Sequence, residues 1–253
     1  MNRHLMTLFA CMLAAGCGGA QPTPPAASAQ DQVAATVEPR SAADVALDAG
    51  RKPDALMKFL ALKPGMRVAE LGAGGGYTAE LLARAVGTEG RVYGQNNKWI
   101  LEKFAEKPWS ERLQKPVMKN VMRLDTEFDA PFTDKVEPLD MVLDNMFYHD
   151  TVWMNVDRQK MNEAIFRALK KGGRYVVIDH SARAGAGLND VKTLHRIEEK
   201  IVREEVLKAG FVFKASDEFL RNAADTRDWS ASPSAAGEKR GESDRFALMF
   251  EKP

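Results

Sequence analysis

Apolar positions along the chain alternate between two periods from about residue 41 onward. Leu56, Phe59 and Leu60 recur at helical spacing behind a Pro53-Asp54 start, and Lys63-Pro64-Gly65 closes that helix. A short strand is expected at 66–71. Leu81, Leu82 and Ala85 mark one face of a helix at 77–86 that Gly87 ends. A second strand is expected at 91–94, then a helix at 98–106 with Trp99, Ile100 and Phe104 turned inward. Strands follow at 121–124 and 139–143. Asp157 is placed to cap a helix running to Lys170, with Met161, Ala164, Ile165, Ala168 and Leu169 on one face and Gly172-Gly173 ending it. A strand at 175–178, a charged amphipathic helix at 194–209, and strands at 211–214 and 246–251 complete the series. Strands alternating with helices predict an α/β fold with a doubly wound, mostly parallel sheet of seven strands. The last two strands have only the polar stretch 221–243 between them and predict an antiparallel hairpin at one edge.

The head of the chain follows a different pattern. Arg3 and His4 precede an apolar run at 5–15, the layout of a secretory signal. Leu13-Ala14-Ala15-Gly16-Cys17 resembles a bacterial lipobox, with alanine where that motif favours a branched aliphatic residue. Residues 18–40 are rich in Ala, Pro, Gln and Ser and bury too little to order themselves. The expected division is a signal peptide at 1–16, a tether at 17–40 behind a lipidated Cys17, and a folded domain at 41–253. A membrane contact only through that lipid, on the periplasmic face of the cell envelope, follows from it. The other cysteine, Cys11, also lies in the head, so the body has no disulfide framework, thiolate metal site or cysteine nucleophile. Lys+Arg 36 against Asp+Glu 35 leaves a net charge of +1, without the basic excess of a nucleic-acid surface.

The chemistry-bearing stretch is Arg67-Val68-Ala69-Glu70-Leu71-Gly72-Ala73-Gly74-Gly75-Gly76-Tyr77-Thr78. It reads strand, glycine turn, helix, so that a ligand can approach main-chain N–H groups at a helix start. The spacing is G-x-G-x-G, not the dinucleotide G-x-G-x-x-G. With Glu70 two residues ahead, Leu124-Asp125 after the third strand, Asp140-Met141-Val142-Leu143-Asp144 on the fourth and Lys170-Lys171-Gly172-Gly173 before the fifth, the chain resembles the Rossmann-like S-adenosylmethionine-dependent methyltransferases. Asp179-His180-Ser181-Ala182-Arg183, Leu194-His195-Arg196 and the closing Arg245-Phe246-Ala247-Leu248-Met249-Phe250 look like a subgroup of predicted exported bacterial methyltransferases.

The resemblance implies S-adenosylmethionine as cofactor. Glu70 and the glycines Gly72, Gly74 and Gly76 would then flank its methionine part, and Asp125 would accept from the adenine amine. Asp144 and Asn145 would lie next to the methyl group. The family's acidic residue ending the second strand is missing. Gln95 or Asn96 stands there, able to reach the ribose only through a neutral hydrogen bond.

Ligands of open α/β sheets bind beyond the carboxyl ends of the strands. Two polar runs fall there: 144–150 (DNMFYHD) and Asp179-His180-Ser181. His180 and His149 are candidate general bases, with Asp144 as a third catalytic candidate, and His180 is preferred because Asp179 adjoins it. Equally open is a role for each histidine in tying down a loop. Asp144, His149, Asp179 and His180 also offer the donors that hold a divalent cation in some catechol-type O-methyltransferases, but nothing in the spacing demands a metal and none is expected. Trp99 is expected in the core and Trp153 as a pocket wall. The leading expectation is methyl transfer to a small-molecule acceptor. The competing one is an envelope-tethered binding protein that keeps the fold without the reaction, motivated by an export signal on a fold whose cofactor is made in the cytoplasm.

Overall fold

The apolar strand segments assemble around one another in the order β3-β2-β1-β4-β5-β7-β6. The computed structural model describes residues 38–253 apart from Glu137; the expected signal, Cys17 and the tether up to residue 37 lie outside the described residues. The strands are β1 (Arg67–Leu71), β2 (Arg91–Asn96), β3 (Val121–Asp125), β4 (Leu139–Asn145), β5 (Leu169–His180), β6 (Val212–Asp217) and β7 (Arg245–Glu251). The first five pair in parallel, β1 against β2 from Arg67↔Arg91 and against β4 from Val68↔Met141. β7 inserts antiparallel between β5 and β6. The central strands are apolar on both faces, as Val68, Ala69, Leu71, Val142, Leu143, Val176 and Val177 are all buried, because helices cover both sides.

The helices are α1 (Ala42–Val45), α2 (Asp48–Arg51), α3 (Pro53–Leu60), α4 (Tyr77–Val86), α5 (Lys98–Ile100), α6 (Glu106–Leu113), α7 (Tyr148–Trp153), α8 (Arg158–Ala168), α9 (Val191–Leu194) and α10 (Glu199–Lys208). Among the described residues no helix is long and apolar enough to cross a membrane. Caps follow the local chemistry. Ser41, Asn97 and Asp157 each accept a backbone N–H of the first turn they precede.

Three expectations need correction. The helix from Lys98 does not stop at 106. A π-helical turn at Leu101–Ala105 joins α5 to α6 and adds a residue to the turn. The inward face therefore becomes Ile100, Ala105 and Trp109, while Trp99 and Phe104 are turned out, 38% and 57% exposed. The helix expected at 194–209 is broken. His195 takes a left-handed conformation (φ 49°), Ile197 bridges in parallel to Ser181, and α10 begins only at Glu199. The break buries Arg196 against Asp225 at 2.8 Å, an ion pair inside the fold that the apolar periodicity could not foresee. Gly172-Gly173 does not end α8. Leu169 already belongs to β5, and the glycines sit in a bulge where the register slips between Leu139 and Met141. As expected, β6 and β7 pair antiparallel at one edge across the long polar connection, which spans residues 218–244.

Candidate functional site

The glycine loop leaves β1 at the carboxyl edge of the sheet and enters α4, with Gly72, Gly74 and Gly76 all at positive φ (60°, 54° and 81°). The three do different work. A Cβ on Gly76 would lie 2.6 Å from Trp109 Cε3, and one on Gly94 2.7 Å from the same indole. The buried Trp109 thus occupies the underside of the loop. A Cβ on Gly72 would strike the Phe147 ring at 2.6 Å, whereas one on Gly74 would meet nothing nearer than 4.0 Å. Gly74 is the position that lies open.

Gln95 and Asn96 are fully buried and brace this loop. Gly72 N–H donates to Gln95 Oε1 (3.2 Å) and Gly74 N–H to Asn96 Oδ1 (2.8 Å). Their amide nitrogens donate to Thr126 O and Gly74 O. The side chains expected to meet a ribose therefore hold the loop's backbone, which is the work their neutral amides can do and a carboxylate cannot, since donors are needed as well as acceptors. From the other side Arg112 donates to Gly75 O (2.6 Å) and pairs with Asp44 and Glu80 at 2.8 and 2.5 Å. Asp125 lies apart. It is exposed on β3 and its carboxylate accepts from Arg123 at 2.7 and 3.0 Å.

Two carboxyl groups flank the loop in the interior. Glu70 is buried with Oε2 unpartnered; burial pushes its pKa up to about 8, opposed by the Thr78 hydroxyl, the Arg51 charge and the Ala79 N–H. Asp144, at the end of β4, has neither oxygen hydrogen-bonded; burial first, and then the neighbouring Asp179 charge, hold its pKa far above the carboxylate range. Asn145 beside it donates to Thr78 Oγ1 at 3.1 Å. Burial thus favours the neutral form of both acids, which leaves unspent hydrogen-bonding capacity beside an open glycine loop.

Beyond β4 the chain turns at Met146 (φ 62°) into α7, where Phe147 stacks on Phe128 with ring centres 4.6 Å apart. Asp179 does not serve the His180 ring. Its carboxylate turns away and accepts from His149 Nδ1 and His149 N, both at 2.7 Å, and from His180 N. The alternation of side chains along β5 is the reason. The His180 ring instead meets Ser243 Oγ at 2.8 Å. The two candidate bases are thereby set apart. Burial would discharge His149, but the charges of Asp179 and Asp150 outweigh it and push the ring up to about 10. Burial lowers His180 well below the usual imidazole value, and the His149 and Arg245 charges act in the same direction. At neutral pH His180 is the uncharged ring. The four-residue cation set of Asp144, His149, Asp179 and His180 does not form, because Asp179 bonds the His149 ring directly and the His180 ring meets Ser243.

His195 joins this cluster unforeseen, its Nδ1 3.1 Å from His149 Nε2. Only the break before α10 brings it there.

A glycine loop between β1 and α4, with seven strands in this order, now meets its relatives. The model of the family described as methyltransferase domain matches residues 62–232. The chain belongs to the methyltransferase-domain family. Solved structures with the same fold include an S-adenosylmethionine-dependent methyltransferase from Aquifex aeolicus (20% identity, 79% of this chain and 89% of that one, TM-score 0.57). TrmN from Thermus thermophilus (14% identity, 79% and 48%, TM-score 0.52) and the cyclase SpnF (18% identity, 81% of each chain, TM-score 0.57) share it as well. This methyltransferase carries strand β7 antiparallel between β5 and β6. Burial favours the neutral forms of Glu70 and Asp144, and the amides of Gln95 and Asn96 are taken up by the loop's own backbone.

Proposed function

We propose that this methyltransferase acts on a small organic acceptor carrying a hydroxyl or amine. The observation that supports it is an exposed aromatic lip beside the open glycine. Phe104 Cε2 lies 4.0 Å from the Cβ position of Gly74, Trp99 packs on Phe104 with centres 6.0 Å apart, and Trp153 packs on Trp99 at 5.0 Å. Such a lip favours a compact molecule with an apolar or aromatic body. S-adenosylmethionine supplies an electrophilic methyl on a sulfonium. The residues of the chain hold the acceptor in line and, where it needs deprotonation, His180 takes the proton as the methyl is received. His149, already protonated and bonded to Asp179, keeps α7 in place. Trp153 Nε1 donates to Asp150 at 2.6 Å and fixes the lip to the same helix.

Titration calorimetry of the full chain with S-adenosylhomocysteine comes first; no binding at about millimolar ligand would leave a fold without the reaction. His180→Ala is then expected to bind S-adenosylhomocysteine as the parent does while turnover falls by about 10²–10⁴. Unchanged turnover would remove His180 from the chemistry.

We infer further, from the apolar run 5–15, Cys17 and the tether behind it, that the enzyme is held at the cell envelope by lipid on Cys17. Cys17→Ser should release it from membranes in its native host; retention there would refute the anchor.

A further inference from the structure

The cluster beyond β4 and β5 has a geometry that neither methyl transfer nor loop anchoring requires. His149 Nε2, Asp150 Oδ1 and His195 Nδ1 converge on one point. Their separations are 3.1 Å between the two nitrogens, 3.2 Å from His149 to Asp150 and 3.4 Å from His195 to Asp150. Ligand atoms about 2.1 Å from a common ion lie roughly 3.0–3.4 Å from each other in octahedral or tetrahedral arrangements. From these distances we propose that His149, Asp150 and His195 bind a divalent first-row transition-metal ion. This site is separate from the glycine loop and does not rest on the acceptor assigned above.

Three further features suit an ion. The Nδ1–H of His149 is directed at Asp179 Oδ1, so an ion would take the place of the Nε2 proton, which leaves to solvent, while Nδ1–H stays on the carboxylate; a carboxylate behind a ligating histidine is the usual outer partner of such sites. Asp150 has its own outer donor in Trp153 Nε1. His195 is held in the left-handed region at φ 49° and ψ 52°, a conformation that costs energy for any residue with a Cβ and here delivers the ring to the cluster. Its side chain is 28% exposed, which gives an entry path, while His149 is buried. Two imidazoles and one carboxylate suit Zn²⁺, Fe²⁺, Co²⁺ or Ni²⁺ and disfavour Mg²⁺ and Ca²⁺, which select oxygen. Three protein ligands leave positions for water or for an oxygen of the acceptor.

The test is calorimetric titration of the metal-stripped full chain with Zn²⁺, and with Co²⁺ followed by its visible d–d absorption. One ion per chain is expected at this site, with Mg²⁺ failing to saturate it at about 1 mM. Asp150→Asn is expected to weaken Co²⁺ binding at least tenfold, His195→Ala by about a hundredfold, and His180→Ala by less than about threefold. Cys11, Cys17 and His4 are present in every variant, so ions held by the head of the chain stay constant across the series. His195 lies at the surface, and its variant should melt within a few degrees of the parent; if it does not fold, Asp150→Asn carries the decision. No saturable Co²⁺ binding up to about 1 mM, or parental affinity in both His195→Ala and Asp150→Asn, would overturn the site and leave a hydrogen-bonded His–Asp relay.

Discussion

Replacing Gly74 and Gly76 by alanine, one at a time, separates the part of the loop that faces a ligand from the part that faces the core. Both sit at positive φ, 54° and 81°, where alanine costs about 1–2 kcal/mol. About 0.4–1 kcal/mol of this is offset by the stiffer unfolded chain. At Gly74 the new methyl meets nothing nearer than 4.0 Å. The net loss is therefore about 1 kcal/mol, a fall in Tm of roughly 2–4 °C for a domain of this size. At Gly76 the methyl falls 2.6 Å from Trp109 Cε3 and 2.9 Å from Arg112 Cδ. Trp109 is fully buried, and Gly94 lies against the same ring. Overpacking adds about 1–3 kcal/mol, for a total near 3 kcal/mol and a Tm lower by roughly 6–12 °C. Thermal denaturation by circular dichroism, paired with calorimetric titration of S-adenosylhomocysteine, reads both effects. Gly74→Ala should keep its fold and bind at least tenfold more weakly, about 1.4 kcal/mol. Gly76→Ala should lose stability first, with affinity per folded molecule closer to the parent. Parental affinity in Gly74→Ala would show that the open side of the loop is not the ligand side. Equal melting of the two variants would refute the packing argument at Trp109.

Glu70 carries a pH signature. Its pKa is about 8 in the fold against an ordinary 4.5, so the stability it confers is complete below pH 4.5 and is lost as pH rises towards 8. Glu70→Gln should gain on the parent by a few kcal/mol, order of magnitude, between about pH 5 and 8, and parallel denaturation curves would refute the burial argument. Arg112→Ala removes the cation that joins Gly75 O, Asp44 and Glu80. Lys115 and Arg84 still face Glu80, so the cost should sit near the lower end of the roughly 3–5 kcal/mol for breaking a buried pair, and a urea midpoint within error of the parent would count against it. Asp125→Asn touches an exposed carboxylate bound to Arg123, and S-adenosylhomocysteine affinity should stay within about twofold. A loss of tenfold would refute this expectation and favour Asp125 as the acceptor of the adenine amine.

Local chemistry was enough for much of this protein. The seven strands, the glycine loop between β1 and α4, and the cap at Asp157 are written in short-range patterns, because period, turn residues and side-chain caps act over a few residues. The placement of Gly74, Asp144 and His180 at the carboxyl edge follows from strand direction alone. What the sequence could not decide depends on partners distant in the chain. The π-turn at Leu101–Ala105 rotates Trp99 outward and sends Trp109 beneath Gly76 and Gly94, a choice made by the space two glycines leave. The helix expected through His195 gives way because Arg196 pairs with Asp225, 29 residues on, and Ile197 bridges to Ser181. Gln95 and Asn96 read as ribose ligands until the loop's own N–H groups claim them. Asp179 reads as the partner of His180 until β5 alternation turns it to His149. The meeting of His149, Asp150 and His195 depends on the turn at Met146 beyond β4 and the helix break at His195, and such a convergence exists only once the sheet has set the distances.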